Sequence, residues 1–231
     1  MTEKLLETIE IETGRNPTVS VIWLHGLGAD GNDFVPVVQE LDLGQAPPIR
    51  FIFPHAPLQP VTINNGYVMR AWYDVSYGDL EGNSRKADER GIRASQAAIG
   101  RLIGRETGRK IPSRNIILAG FSQGGAIALH TGLRHPEPLA GIMALSTYLP
   151  LAESFAQEAA PANATTPIFM AHGTYDPVVP YTMGRQSCEF LERCGYRVEW
   201  YEYPMQHSVC PEEIRDIGAW LRRIVARVSQ R

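Results

Sequence analysis

Cysteine is scarce in this chain: Cys188, Cys194 and Cys210 are the only three among 231 residues. An odd, sparse count without zinc-ligand spacing argues against a disulfide framework and against a structural metal. Long apolar runs are missing too. Met1-Thr2-Glu3-Lys4 leads into none, so no signal peptide, lipidation motif or membrane span is expected, and the expected location is cytoplasmic. A surplus of one charge is also absent. The net charge is −3 with basic residues spread along the chain, which argues against a nucleic-acid partner. Arg222, Arg223, Arg227 and Arg231 do gather at the C-terminus, where the solvated face of a last helix accounts for them. No internal repeat and no domain boundary is visible. What the chain has is apolar content: 44% of it is hydrophobic, which fits one compact domain over residues 1–231 with a sizeable core.

The chain is organised around Asn115 to His130. Ile116, Ile117, Leu118 and Ala119 form a short continuous apolar run, the pattern of a strand buried on both faces. Gly120-Phe121-Ser122-Gln123-Gly124 then matches G-x-S-x-G, and Ala126, Ile127, Ala128 and Leu129 suit a tightly packed helix. Strand, sharp turn and helix is the context in which this motif exposes a nucleophilic serine. The flanking glycines leave space where side chains would meet the neighbouring strand and helix. This geometry predicts a Ser122 hydroxyl above the strand end, with the Gln123 N–H at a helix N-terminus aimed at an oxyanion formed there. Glycine-rich strand-to-helix turns also bind phosphates, so a catalytic serine needs partners elsewhere.

Taken in order, Thr8 to Thr13 alternate as an edge strand does, and Val19 to Leu24 read as a buried strand ending in His25-Gly26-Leu27-Gly28. Asn32 or Asp33 is expected to cap a helix through Leu41. Ile49 to Phe53 read as a strand closed by Pro54. Pro54 to Gly82 are rich in Pro, Gly, Asn and aromatics, with Leu58, Val61, Ile63, Tyr67, Val68, Met69, Trp72 and Tyr73 too apolar for disorder. A flap or small hairpin over a pocket is the expectation for so long a loop. Ser84 to Glu106 are expected to be helical. Strands are expected at Leu139–Leu145, Pro167–Ala171 and Tyr196–Tyr203, and helices at Tyr181–Cys194 and from Pro211 onward. This alternation predicts an α/β fold with a mainly parallel central sheet and helices on both faces. Active residues should gather at the carboxyl ends of the strands.

On such a scaffold the chain order is nucleophile, acid, histidine. Four histidines follow Ser122. His130 and His135 leave no room for a strand and an acid before them, and His172 precedes the best acid and ends a strand. His207 lies in the loop between the last strand and the last helix. Asp176 follows a strand end, flanked by Gly173 and Pro177, whereas the glutamates in this stretch fall in an unpatterned connection, a helix or a strand. His207 would take the Ser122 proton and pass it to the leaving group, and Asp176 would fix the imidazole tautomer. Gln123 gives one oxyanion donor, and the loop after an early strand gives the second, assigned to the Leu27 N–H. His25, Asp74 and His172 are read as hydrogen-bonded supports. Cys210 lies close to His207 but lacks a turn that would expose it as a nucleophile.

Six segments together resemble the carboxylesterase and acyl-protein thioesterase family of α/β-hydrolases. They are His25-Gly26-Leu27-Gly28 with Asp33-Phe34; Pro54-His55-Ala56-Pro57; Arg70-Ala71-Trp72-Tyr73-Asp74; Gly120 to Gly125; His172-Gly173 with Asp176 to Pro180; and His207-Ser208-Val209. The resemblance implies the triad Ser122, Asp176 and His207, with an oxyanion hole from Leu27 and Gln123. It also implies an apolar acyl groove under the Pro54–Trp72 loop, for which Leu58, Val61, Met69, Trp72 and Val179 are the candidate substrate contacts. No cofactor and no metal are implied, and homodimers are frequent in the family. The expected substrate is a small ester or thioester of a short to medium acyl chain, lipid-derived ones included, in a lysophospholipase or protein-deacylating role. A non-catalytic binding protein and a serine peptidase share the fold, and function has to be argued from the site.

Overall fold

The computed structural model describes residues 5–76 and 87–229. Seven of its strands form one sheet: β1 (Thr8–Glu12), β2 (Val19–Leu24), β3 (Ile49–Pro54), β6 (Ile116–Phe121), β7 (Gly141–Leu145), β8 (Ile168–Gly173) and β9 (Val198–Tyr203). Their spatial order is β1-β3-β2-β6-β7-β8-β9. β1 runs antiparallel to β3 at one edge, and every other neighbouring pair is parallel. The alternating pattern of β1 suits that edge, and the continuous apolar runs of β2 and β6 suit the middle. The second sheet is a two-stranded antiparallel hairpin, β4 (Leu58–Val61) and β5 (Tyr67–Arg70). It turns at Asn65 and Gly66, both at positive φ. The long Pro54–Gly82 stretch is therefore a hairpin in its described part.

Side chains alternate across each strand, so one strand feeds two cores. On one face Val19, Val21 and Trp23 of β2 pack with Phe51, Phe53, Ile117 and Ala119 against Ile217, Trp220 and Leu221 of α6 (Pro211–Ser229). On the other, Ile22 and Leu24 pack with Ile52 and Leu118. They meet Ile99, Leu102 and Ile103 of α2 (Glu89–Gly108) and Ala126 to Ala128 of α3 (Gln123–Arg134). This second side continues where Ile142, Ala144, Ile168 and Met170 meet Leu129, Leu133 and the buried Cys188 and Leu191 of α5 (Tyr181–Arg193). Helices thus cover both faces of a mainly parallel sheet, the α/β-hydrolase arrangement.

One helix expectation is corrected. The helix after β2 is only α1 (Val37–Glu40), with Pro36 at its N-cap and no side-chain cap. Asp30 accepts the Asn32 N–H at 2.7 Å, and i→i+3 bonds from Asp33, Val35 and Val37 follow. The chain winds through tight turns while Phe34 stacks on Trp23 at 5.1 Å, and the N-cap role foreseen for Asn32 or Asp33 is lost to that geometry. α2 begins at Glu89, where Asp88 caps it by accepting the Gly91 N–H. The expected start at Ser84 lies outside the described residues. The connection from Pro150 to Pro167 holds α4 (Phe155–Glu158) between two short 3-10 turns.

Candidate active site

Ser122 stands between β6 and α3 with φ 54° and ψ −122°, a conformation that costs a non-glycine residue about 1–3 kcal/mol. Surrounding bonds hold it there. Its N–H donates to Leu145 O at 2.8 Å, and its carbonyl accepts the Ala126 N–H at 3.1 Å and the Thr147 hydroxyl at 2.6 Å. The two motif glycines are needed for space. A Cβ on Gly120 would collide with the Gly124 backbone, and one on Gly124 with the carbonyls of Leu24 and His25. The turn is thereby wedged between its own helix and the end of β2.

His207 Nε2 lies 2.9 Å from Ser122 Oγ, and His207 Nδ1 lies 2.7 Å from Asp176 Oδ2. Three loops at carboxyl ends of strands thus converge. The acid and base loops are tied to each other: Thr174 and Tyr175 donate their N–H groups to Tyr203 O and Met205 O at 2.8 and 3.1 Å. Asp176 Oδ1 accepts the Val178 and Val179 N–H groups at 2.8 and 2.9 Å. Burial alone would raise the Asp176 carboxyl. Hydrogen bonds from His172, His207 and the Val178 N–H outweigh it and hold the group well below the usual carboxylate range. The Asp176 side chain is 0% exposed and that of His207 15%, so the carboxylate is sealed while the imidazole stays within reach of a substrate. The Phe121 ring, at 4.7 Å, packs on His207.

The His25–Gly28 loop sits beside the nucleophile: a Cβ on Gly26 would stand 3.5 Å from Ser122 Cβ. Leu27 is the next residue of that loop, and Ser122 directly precedes the first turn of α3, whose N–H groups have no intrahelical acceptor. His25 fixes that loop. Its Nε2 accepts the Ala56 N–H at 3.1 Å, so Nδ1 carries the proton and donates to Gly26 O at 2.6 Å. Burial lowers its pKa. Asp74 is likewise a support, accepting the Thr62 N–H and hydroxyl at 2.7 and 2.6 Å.

Sequence reasoning missed what the Gln123 side chain does. Its Oε1 accepts the Trp72 N–H at 2.8 Å and its Nε2 donates to Tyr73 O at 2.7 Å. The x of G-x-S-x-G next to the serine carries no such signal. Thr147 and Tyr148 belong to no motif, and the 2.9 Å hydroxyl pair that Tyr148 makes with Tyr73 was also missed. The five expected acyl contacts are dispersed. Leu58 is 64% exposed on the hairpin, and Val61, Trp72 and Val179 are buried. Met69 lies near Gly28. Trp72 Nε1 donates to His25 O at 2.9 Å. None of the five lines a cavity of about 400 Å³ whose wall includes Ile92, Tyr148, Leu149, Leu151, Met183 and Phe190. Among the described residues no three His, Cys, Asp or Glu side chains come together as a metal site.

The phospholipase/carboxylesterase family model matches residues 6–225. An acyl-protein thioesterase 1 of Mycosarcoma maydis is 42% identical, with 96% of this chain and 98% of that protein covered. One of Neurospora crassa is also 42% identical, over 93% of this chain and 90% of that protein. The crystal structure of Zea mays acyl-protein thioesterase 2 superposes with a TM-score of 0.81 at 28% identity, covering 95% of this chain and 99% of that one. With the family spanning nearly the whole chain, sequence and fold lead to one conclusion: the chain belongs to the phospholipase/carboxylesterase family and is a serine hydrolase of carboxylic ester bonds.

Proposed function

We propose that Ser122, His207 and Asp176 are the catalytic residues and that the enzyme cleaves esters and thioesters of short to medium acyl chains. The observation that carries this is the continuous relay from Ser122 Oγ through His207 to Asp176 at 2.9 and 2.7 Å. His207 Nε2 accepts the Ser122 proton as Oγ bonds to the acyl carbonyl carbon. The carbonyl oxygen becomes an oxyanion between the Leu27 and Gln123 N–H groups. The C–O or C–S bond then breaks, and His207 gives its proton to the departing alcohol or thiol. Water repeats the sequence on the acyl-enzyme, and the fatty acid leaves. Asp176 stays ionised and stabilises the imidazolium.

Thioesters enter this reading from the acyl-protein thioesterases at 42% identity. The acyl chain is assigned to the cavity walled by Tyr148, Leu149, Met183 and Phe190, with Glu153 and Arg193 also in its lining; Tyr148 follows Thr147, the residue bonded to Ser122 O. Its volume is within the roughly 300–1,000 Å³ of ligand pockets. Lipid-derived and protein-bound acyl groups both fit this chemistry. Matched oxygen esters and thioesters of increasing acyl length test the reading. Wild-type turnover should fall on Met183→Trp for the longer chains first. Unchanged length dependence in that variant would remove the cavity from the account.

A cytoplasmic location is part of the same proposal, supported by three free cysteines, which a reducing compartment preserves. Homodimerisation is too: Leu58, Tyr67 and Val68 expose apolar surface on one hairpin, a physical reason for self-association. Sedimentation showing only monomer at micromolar concentration would remove it.

A further inference from the structure

We infer that His172 is a positioning residue for the reaction: its Nε2–H clasps the Asp176 turn and aims the carboxylate at His207. This rests on the triad reading above. His172 is the penultimate residue of β8 and is 1% exposed. Its Nε2 lies 2.9 Å from Val179 O, and a carbonyl only accepts, so Nε2 carries the proton. The same nitrogen lies 3.4 Å from Asp176 Oδ2, the oxygen that His207 Nδ1 approaches at 2.7 Å. One N–H thus spans both ends of the turn from Asp176 to Val179. Oδ1 is taken by the Val178 and Val179 N–H groups, so His172 is the remaining neighbour that fixes where Oδ2 points.

The pocket around His172 is built for that ring. Trp200 lies parallel to it at 6.3 Å and Tyr181 stands edge-on at 6.2 Å. Gly184 faces Nδ1 so closely that any side chain there would collide. The charged groups nearby are engaged elsewhere: Glu202 accepts from Tyr181 and Trp200, and Arg185 pairs with Glu189 and lies over the Trp200 ring. With Oδ1 held by two N–H groups and Oδ2 set between His172 and His207, the carboxylate has one orientation left, and that orientation sets the imidazole of the base.

The test uses two substitutions that differ in where they present an N–H. A glutamine amide reaches the place of Nε2, and an asparagine amide reaches only the place of Nδ1. In the full chain, His172→Asn should lower kcat for a soluble acyl ester about 10–100-fold, the scale of a misplaced catalytic group. KM should stay within about twofold, because ground-state binding is untouched. His172→Gln should recover kcat to within about fivefold of wild type on the same geometric argument. A merely structural role would lower both variants' melting temperatures without this split. If the asparagine variant does not fold, His172→Phe, which fills the space without a donor, replaces it. Wild-type kcat without the Nε2 donor, or equal losses in the Gln and Asn variants, would overturn the inference. Ser122→Ala run alongside separates the two claims. Retained turnover there sinks the triad reading, whereas a dead Ser122→Ala with a fully active Asn variant sinks only the role of His172.

Discussion

The side chain of Gln123 accepts the backbone N–H of Trp72 at 2.8 Å. The residue whose own N–H is proposed to face the oxyanion therefore also fastens the segment after the hairpin, with Tyr73 O as its second partner. Nucleophile turn, His25–Gly28 loop and Trp72 form one unit, because Trp72 Nε1 in turn bonds His25 O.

Gln123→Ala keeps the backbone donor and removes the clamp. Two buried main-chain groups lose their partners, at about 1–3 kcal/mol each. A melting temperature several degrees lower is expected, with a drop in kcat on soluble esters. Calorimetry and steady-state kinetics on one preparation check both. A variant as stable as wild type would show that the clamp contributes nothing.

Glu213 gives a pH dependence opposite to that of most carboxylates. It is 0% exposed in the first turn of α6, and burial, with Asp216 adding to it, pushes its pKa up from 4.5 to about 8. The folded state holds this proton more tightly than the unfolded chain does. Its stabilisation is fully present below pH 4.5 and is lost as pH rises through 8. Melting temperatures from pH 5 to 9 should fall for wild type and stay flatter for Glu213→Gln. Parallel slopes would contradict the burial argument.

Glu158 works in the other direction. It pairs with Arg93 and with the buried Arg134 at 2.6 Å each. Burial by itself would raise its pKa, but the bonds from Arg93, Arg134 and Ser154 lower it from 4.5 to about 2. Its stabilisation is present above pH 4.5 and fades as pH falls through 2. Glu158→Gln leaves the Arg134 charge buried without its counter-ion, and a loss of about 3–5 kcal/mol in denaturant titration is expected. Arg134→Met with Glu158→Gln should recover part of it. No recovery would show that the pair is not the source.

Much of this was legible in the sequence because its signals are local. Ile116 to Gly124 spell strand, turn and helix, and the chain order from Ser122 leaves Asp176 and His207 by elimination. The orientation of side chains across loops was not legible. The hydroxyl of Thr147 on Ser122 O joins residues from two different loops, and no pattern within either loop announces it. The helix after β2 was over-read because Asn32 and Asp33 look like caps, whereas Asp30 and Phe34 commit that stretch to tight turns. The acyl groove expected under the Pro54–Trp72 loop came from the family resemblance, which does not say how each side chain there is used. Trp72 Nε1 bonds His25 O, a partner that no pattern within the loop announces.

The most direct measurement is labelling with a fluorophosphonate probe followed by peptide mapping. A serine reacts quickly only beside a working base and an oxyanion hole. The account predicts one modified peptide, with the adduct on Ser122, and labelling lost in His207→Ala while the fold is retained. An adduct on another residue, or undiminished labelling of His207→Ala, would contradict it.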